Sequence, residues 1–210
     1  IAVKCLALLV GQDCLIEHHT WYRLWGEMII EYNGKKPKIS EKAFVAPNAT
    51  LIGDVEVADA ASIWFGAQVR GDLGKITIGS GTSIQDNAVV HADVHKQTVI
   101  EEDVTVGHGA VLHSCTVKRG AVIGIKSVIL DEAVVGEQAM VAAGSVVTSG
   151  THIPSRHLAA GIPARVKKEL EGESLWWVEQ SPGDYAELMQ NYLRQGLGRV
   201  DSHEVIKGDI

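Results

Sequence analysis

Aliphatic residues fall six apart along most of this 210-residue chain, and that spacing limits the folds open to it more than any other feature. They stand at Ile39, Val45, Leu51, Val57, Ile63 and Val69, then resume after three extra residues at Ile78, Ile84 and Val90. After three more they run through Val99, Thr105, Val111, Val117, Ile123, Ile129, Val135, Val141 and Val147. Four positions after each step the residue is usually small, as at Ala43, Ala61, Ala88, Ala121 and Ala139. A period of six matches neither the helical 3.6 nor the strand alternation of two; it marks an internal repeat. Each hexapeptide is expected to make one short strand and a turn, with three closing one coil of a triangular parallel β-helix. The aliphatic side chain points into the prism and the small one fits where the backbone turns. Eighteen steps give about six coils. One coil alone buries almost nothing, so stability comes from stacking.

Two interruptions break the period, at "RGDLGKIT" (70–77) and "HADVHKQT" (91–98). Extra residues in a strict repeat project as loops, often on the functional face. Residues 1–27 share no pattern with the repeats and are expected to lie outside the core, with no functional weight. The repeat domain spans 28–158 and a helical segment 159–197. In that segment "AAGIPARVKKEL" (159–170) reads as a turn leading into a helix, and "SPGDYAELMQNYLRQGL" (181–197) as a second helix. Ser181 can cap the second helix and Pro182 suits its first turn. Tyr185, Leu188, Met189, Tyr192 and Leu193 form one apolar stripe, expected to pack along the prism as core. Residues 198–210 read as a polar tail.

A net charge of −7 argues against nucleic acid or an anionic membrane surface as partner, and the short lysine groups at 35–38 and 167–168 do not reverse it. No apolar run reaches membrane-spanning length. The three cysteines form no C-x-x-C pair, which favours a reducing compartment, the cytoplasm.

Counting in steps gives the histidines positions. His91 follows Val90, and three steps later, one full turn, His113 lies two residues beyond Val111. The two are expected on the same side of adjacent coils, about 4.8 Å apart. That suits two imidazoles sharing one ion at roughly 2.0–2.1 Å each. His108 belongs to the preceding step, at a corner, and does not readily reach the other two on the same subunit. In a threefold homotrimer, a neighbour's corner faces this side, so two histidines from one chain and one from the next complete a three-histidine site. Three protein ligands and one open position are the pattern of catalytic zinc, and Fe²⁺ or Co²⁺ also suits such ligands. His95 lies in the second loop and is either an exposed residue or a proton carrier, since an ordinary imidazole titrates near pH 6.5. His152, His157 and His203 read as surface residues.

The hexapeptide array together with "VRGD" (69–72), "IQDNAVVH" (84–91) and "GHGAVLH" (107–113) resembles the γ-class carbonic anhydrase family over about residues 28–195. The resemblance implies a left-handed β-helix and a lyase that hydrates CO₂ reversibly to bicarbonate. By it, His91, His108 and His113 match the metal ligands. Arg70 and Asp72 match residues that pair across the subunit interface. Gln85 matches a residue that hydrogen-bonds the metal-bound water, with Asp86 beside it in the interface motif. Leu73 stands where the active branch carries a glutamate, and "ADVHKQT" replaces a longer acidic loop with a shuttle glutamate. These departures imply weak turnover, with His95 and Asp93 as substitute proton carriers. Two other readings stand beside this one. The first is a hexapeptide acyltransferase with a coenzyme A donor and a histidine base, which shares the "GIPARV" (161–166) ending. The second is a non-catalytic, metal-stabilised trimeric scaffold.

Overall fold

In the computed structural model, which describes residues 28–198 and 205–207, the repeats form a left-handed parallel β-helix of about seven turns with a helix, Glu173–Arg194, beside it. Short strands recur on three faces. The first face stacks residues 68–70 on Val89–His91, Val111–His113, Val128–Ile129 and Val146–Val147. The second stacks residues 75–78 on Gln97–Ile100, Thr116–Val117, Val134–Val135 and His152–Ile153. The third runs from Phe44–Val45 through Ser62–Ile63, Ser83–Ile84, Thr105–Val106, Val122–Ile123 and Met140–Val141. Every rung pairs in parallel with the rung one coil away, so the backbone groups of each short strand are satisfied by chain about eighteen residues distant.

The prism interior is a column of aliphatic side chains, among them Ile63, Val69, Ile84, Val90, Val117, Ile123 and Ile129, all shielded from solvent. The expected period holds on both sides of the second loop but slips within it. The inward residues there are Ile100, Val106 and Leu112, each fully buried, whereas Val99 and Val111 are only half-buried. Val90 to Ile100 is thus a step of ten, and Leu112 to Val117 a compensating step of five. This explains why Thr105 broke the aliphatic series: Val106 is the inward residue of that rung.

The corners have their own signature. Three residues after most inward side chains the backbone enters the left-handed region, at Ala60, Asn87, Asp103, Lys126, Glu132, Gln138 and Arg156, and at several glycines. Such a conformation crowds a Cβ against its neighbouring carbonyl. At the five-residue step it arrives one position early, at Ser114 (φ 47°).

The C-terminal part departs from the sequence expectation. Residues 159–170 do not lead into a helix. His157–Gly161 and Ala164–Glu169 form an antiparallel hairpin that finishes the third face at the base of the prism. The hairpin satisfies backbone groups that an open sheet end would leave unpaired. The helix begins at Glu173, before Ser181, and runs through Pro182. Val178, in its first half, is 2% exposed. Of the apolar stripe, Met189 is buried and Tyr185, Tyr192 and Leu193 pack on the core, while Leu188 faces outward. Several aromatic side chains gather at this seam: the Trp64 ring lies 4.9 Å from Phe44, 5.4 Å from Tyr185 and 5.5 Å from Tyr192. The segment expected as a polar tail contributes a strand, Val205–Lys207, parallel to Met28–Glu31, which in turn pairs with Thr50–Ile52. The extension expected at residues 1–27 lies outside the described residues.

Candidate metal centre

His91 and His113 end two neighbouring strands of the first face. The register pairs them directly, with Val111 opposite Val89 and Leu112 opposite Val90. Because Val90 and Leu112 point inward, the next residue on each strand points outward, so both imidazoles leave the prism on the same side. Their ring centroids are 5.1 Å apart. Arg70 lies in register with His91 on the next strand.

Carboxylates hold both rings. Asp72, from the bend inside the strand Gln68–Ile78, meets His91 Nε2 through Oδ1 at 3.0 Å and accepts from Arg70 through Oδ2 at 2.6 Å. Partial burial pushes the Asp72 carboxyl up. The hydrogen bonds from Arg70 and His91 outweigh that and leave it below the ordinary carboxylate range. Asp131 meets His113 Nδ1 at 2.5 Å and accepts from Lys96 Nζ at 3.0 Å. Hydrogen bonds from His113 and then Lys96 hold Asp131 below the ordinary range as well. The two loops touch backbone to backbone: a Cβ added at Gly74 would collide with the carbonyl oxygens of Lys96 and Asp93, so only glycine fits there.

His108 belongs to a second group, at the corner between the third and first faces. Its Nδ1 lies 2.8 Å from Asp86 Oδ2, and its Nε2 is 3.3 Å from the Tyr185 hydroxyl on the helix. Gln85, 5% exposed, accepts the His108 backbone N–H through Oε1 at 3.2 Å. Burial, and then the charge of Asp86, push the Tyr185 hydroxyl up from its ordinary pKa. The sequence reading placed Tyr185 in the packing stripe and missed this contact. No spacing could reveal it, because the helix lies off the hexapeptide lattice.

The predicted residues therefore form two groups in one chain: Arg70, Asp72, His91 and His113 in one, Gln85, Asp86 and His108 in the other. Among the described residues, no three His, Cys, Asp or Glu side chains gather closely enough to hold a metal ion. Arg70 and Asp72 bond each other within the chain; a pairing across subunits concerns an assembly that one chain does not contain. His95 is exposed, with φ 60°, and makes no hydrogen bond or ion pair among the described residues. Cys115 does not compete as a ligand: burial pushes its thiol up to about 12. The His152 and His157 side chains hydrogen-bond the nearby carbonyls of Gly150 and Ser155.

The donor set fits a transition-metal ion. His91 and His113 each use one ring nitrogen toward a carboxylate and keep the other without a partner among the described residues. Imidazoles so anchored are the usual donors of zinc sites.

Fold and side-chain pattern together define a hexapeptide-repeat, left-handed β-helix protein. No family model matches the chain. Individual proteins do. The mitochondrial gamma carbonic anhydrase 2 of Arabidopsis thaliana is 38% identical over 205 residues, spanning 95% of this chain and 72% of the relative. A carbonic anhydrase of Geobacillus kaustophilus is 42% identical over 165 residues, spanning 79% of this chain and 91% of the relative. A solved hexapeptide transferase family protein from Anaplasma phagocytophilum superposes with a TM-score of 0.76 at 41% identity, covering 79% of this chain and 98% of that one. The chain belongs to the γ-class carbonic anhydrase family. Among the described residues no helix is long and apolar enough to cross a membrane.

Proposed function

We propose that this protein is a metal-dependent carbonic anhydrase, a lyase that interconverts CO₂ and bicarbonate in a reducing compartment such as the cytoplasm. Its metal, zinc or else Fe²⁺ or Co²⁺, is held in a homotrimer by His91 and His113 of one subunit and His108 of a neighbour. The observation that carries this reading is the direct pairing of His91 with His113, each ring anchored by a carboxylate and each keeping one nitrogen without a partner among the described residues. A divalent ion in such a site supplies Lewis-acid activation of water at neutral pH.

The chain's own residues divide the remaining work. Asp72 fixes the His91 ring, with Arg70 holding Asp72 in place. Asp86 orients His108 through Nδ1. Gln85, whose Oε1 accepts the His108 N–H at the same corner, orients a water or bicarbonate oxygen through its amide in this reading. Leu73, about half exposed, stands where the active branch carries a carboxylate, and the second loop is short. Proton export is then the slow step, and His95 is its candidate carrier.

The test is zinc content of protein purified without chelators, with stopped-flow CO₂ hydration on the same sample. One equivalent of metal per subunit with hydration above buffer supports the proposal. A His108→Ala chain mixed with a His91→Ala chain should regain part of the metal in hybrid trimers, because some interfaces then hold an intact set. Metal-free protein that acetylates an amine acceptor from acetyl-CoA would favour the transferase reading, which the name of the Anaplasma relative raises. A metal-loaded trimer without hydration would favour the scaffold.

A further inference from the structure

Each of the two loops contributes to a cation–carboxylate–imidazole chain. The first is Arg70–Asp72–His91, and both its charged members come from the strand Gln68–Ile78, which carries the first interruption of the repeat. The second is Lys96–Asp131–His113, and it crosses from the second loop to the following coil. Asp131 sits at the corner after Ile129, eighteen residues beyond His113, one turn of the prism away. Its oxygens are divided between two donors: Oδ1 faces His113 Nδ1 at 2.5 Å, and Oδ2 accepts from Lys96 Nζ at 3.0 Å. Lys96 also reaches Glu132 Oε1 at 3.0 Å. The loop carrying Lys96 is pinned to the rung of His113 by a hydrogen bond from Asp93 N to Ser114 Oγ at 2.9 Å.

We propose that Asp131 is a positioning residue that fixes the tautomer of His113, with Lys96 holding the carboxylate in place. The inference rests on the metal-site reading above. An ionised carboxylate accepts hydrogen bonds and cannot donate them. A neutral imidazole beside Asp131 must therefore place its proton on Nδ1, which leaves the lone pair on Nε2 for a cation. Free histidine in water prefers the opposite tautomer, so the preference has to be imposed by the protein. Asp72 plays the equivalent part for His91 through the other ring nitrogen, Nε2. The two imidazoles are thus fixed independently, by carboxylates from different loops and coils. Removal of an outer carboxylate from a ligating histidine commonly weakens metal binding about 10–100-fold.

The experiment has a metal-free arm and a zinc arm. In ¹⁵N-histidine-labelled, metal-free protein at about pH 8, long-range ¹H–¹⁵N spectra report which ring nitrogen carries the proton, and a His113→Gln variant assigns the signals. The wild type should show His113 protonated on Nδ1. Asp131→Ala should move the proton toward Nε2, and Asp131→Glu should restore part of the preference. Zinc affinity, read by competition with a chromophoric chelator, should fall about 10–100-fold in Asp131→Ala and by a smaller factor in Lys96→Met. A wild-type His113 protonated on Nε2 would overturn the proposal. So would an Asp131→Ala chain with unchanged tautomer and unchanged zinc affinity. If the tautomer responds as stated but the wild type binds no zinc, Asp131 keeps its role and the metal reading is what fails. The partly exposed Lys96 gives a variant that tests the same chain without touching a packed position.

Discussion

Glu101 illustrates what one side chain contributes on this lattice. It accepts from Lys118 Nζ at 2.7 Å and from the Arg119 backbone N–H at 2.9 Å, so it ties one coil to the next at a single corner. Burial pushes its carboxyl up, but these two bonds outweigh that and set it below the ordinary 4.5. A folded-state pKa below the unfolded value contributes stability above the ordinary range, and that stability is lost as pH falls through the lowered value. Glu101→Gln should therefore cost less than about 1 kcal/mol of stability near neutral pH for a pair of this exposure, seen as a slightly lower melting temperature. It should also flatten the fall in melting temperature on acidification below about pH 4.5, read by calorimetry at a series of pH values. His95 makes the opposite case, a side chain without hydrogen-bond or ion-pair partners among the described residues. If it carries protons, His95→Ala should lose hydration turnover at low buffer and recover it as imidazole is added, with zinc content unchanged. Equal low-buffer rates in mutant and wild type would remove His95 from the mechanism.

Among the elements, the corners are less ideal than the strands. Lys126 holds φ 54° at a corner where other rungs place glycine. An L-residue there costs roughly 1–2 kcal/mol, against about 0.5–1 kcal/mol of unfolded-state entropy for glycine. Lys126→Gly should thus stabilise by about 1 kcal/mol or less, and Lys126→Val, branched at Cβ, should destabilise; chemical denaturation gives the order Gly, Lys, Val. The strands were legible because each needs only an inward aliphatic residue at a fixed offset. The rungs at 99–111 were misframed by one residue because "VI", "TV" and "VL" offer two nearly equivalent neighbours. Register against the coil above and below decided between them, and the pairing of Leu112 with Val90 and Ile129 is that decision. The C-terminal hairpin was misread for a related reason. Whether "ARVKKE" forms helix or strand depends on the open sheet end that it closes.

For the molecule as a whole, the two histidine groups make assembly the central question. Arg70 and Asp72 lie beside His91 on a partly exposed edge, with the Arg70 side chain 46% accessible in the single chain. In the proposed trimer this edge meets the His108 corner of a neighbour. Arg70→Ala should therefore shift the species seen by sedimentation velocity from trimer toward monomer at low micromolar protein, and should reduce zinc content in parallel. A trimer that survives dilution with full zinc would confine Arg70 to holding Asp72.

The sequence by itself determined the prism, because a period of six with inward aliphatic residues has few other ways to bury them. It also placed His91 and His113 on one side of adjacent coils, since counting rungs is enough to bring residues one turn apart together. The contact of His113 with Asp131 obeys the same one-turn offset and was legible in principle, through an acidic residue eighteen positions on. The contact of His108 with Tyr185 was not, because seventy-seven residues and a helix off the lattice lie between them. Only the docking of that helix, through Met189 and the aromatic seam at Trp64, decided which hydroxyl meets the ring. Periodic contacts are set by local spacing, whereas a docked helix is placed by the shape and burial of the surface it covers.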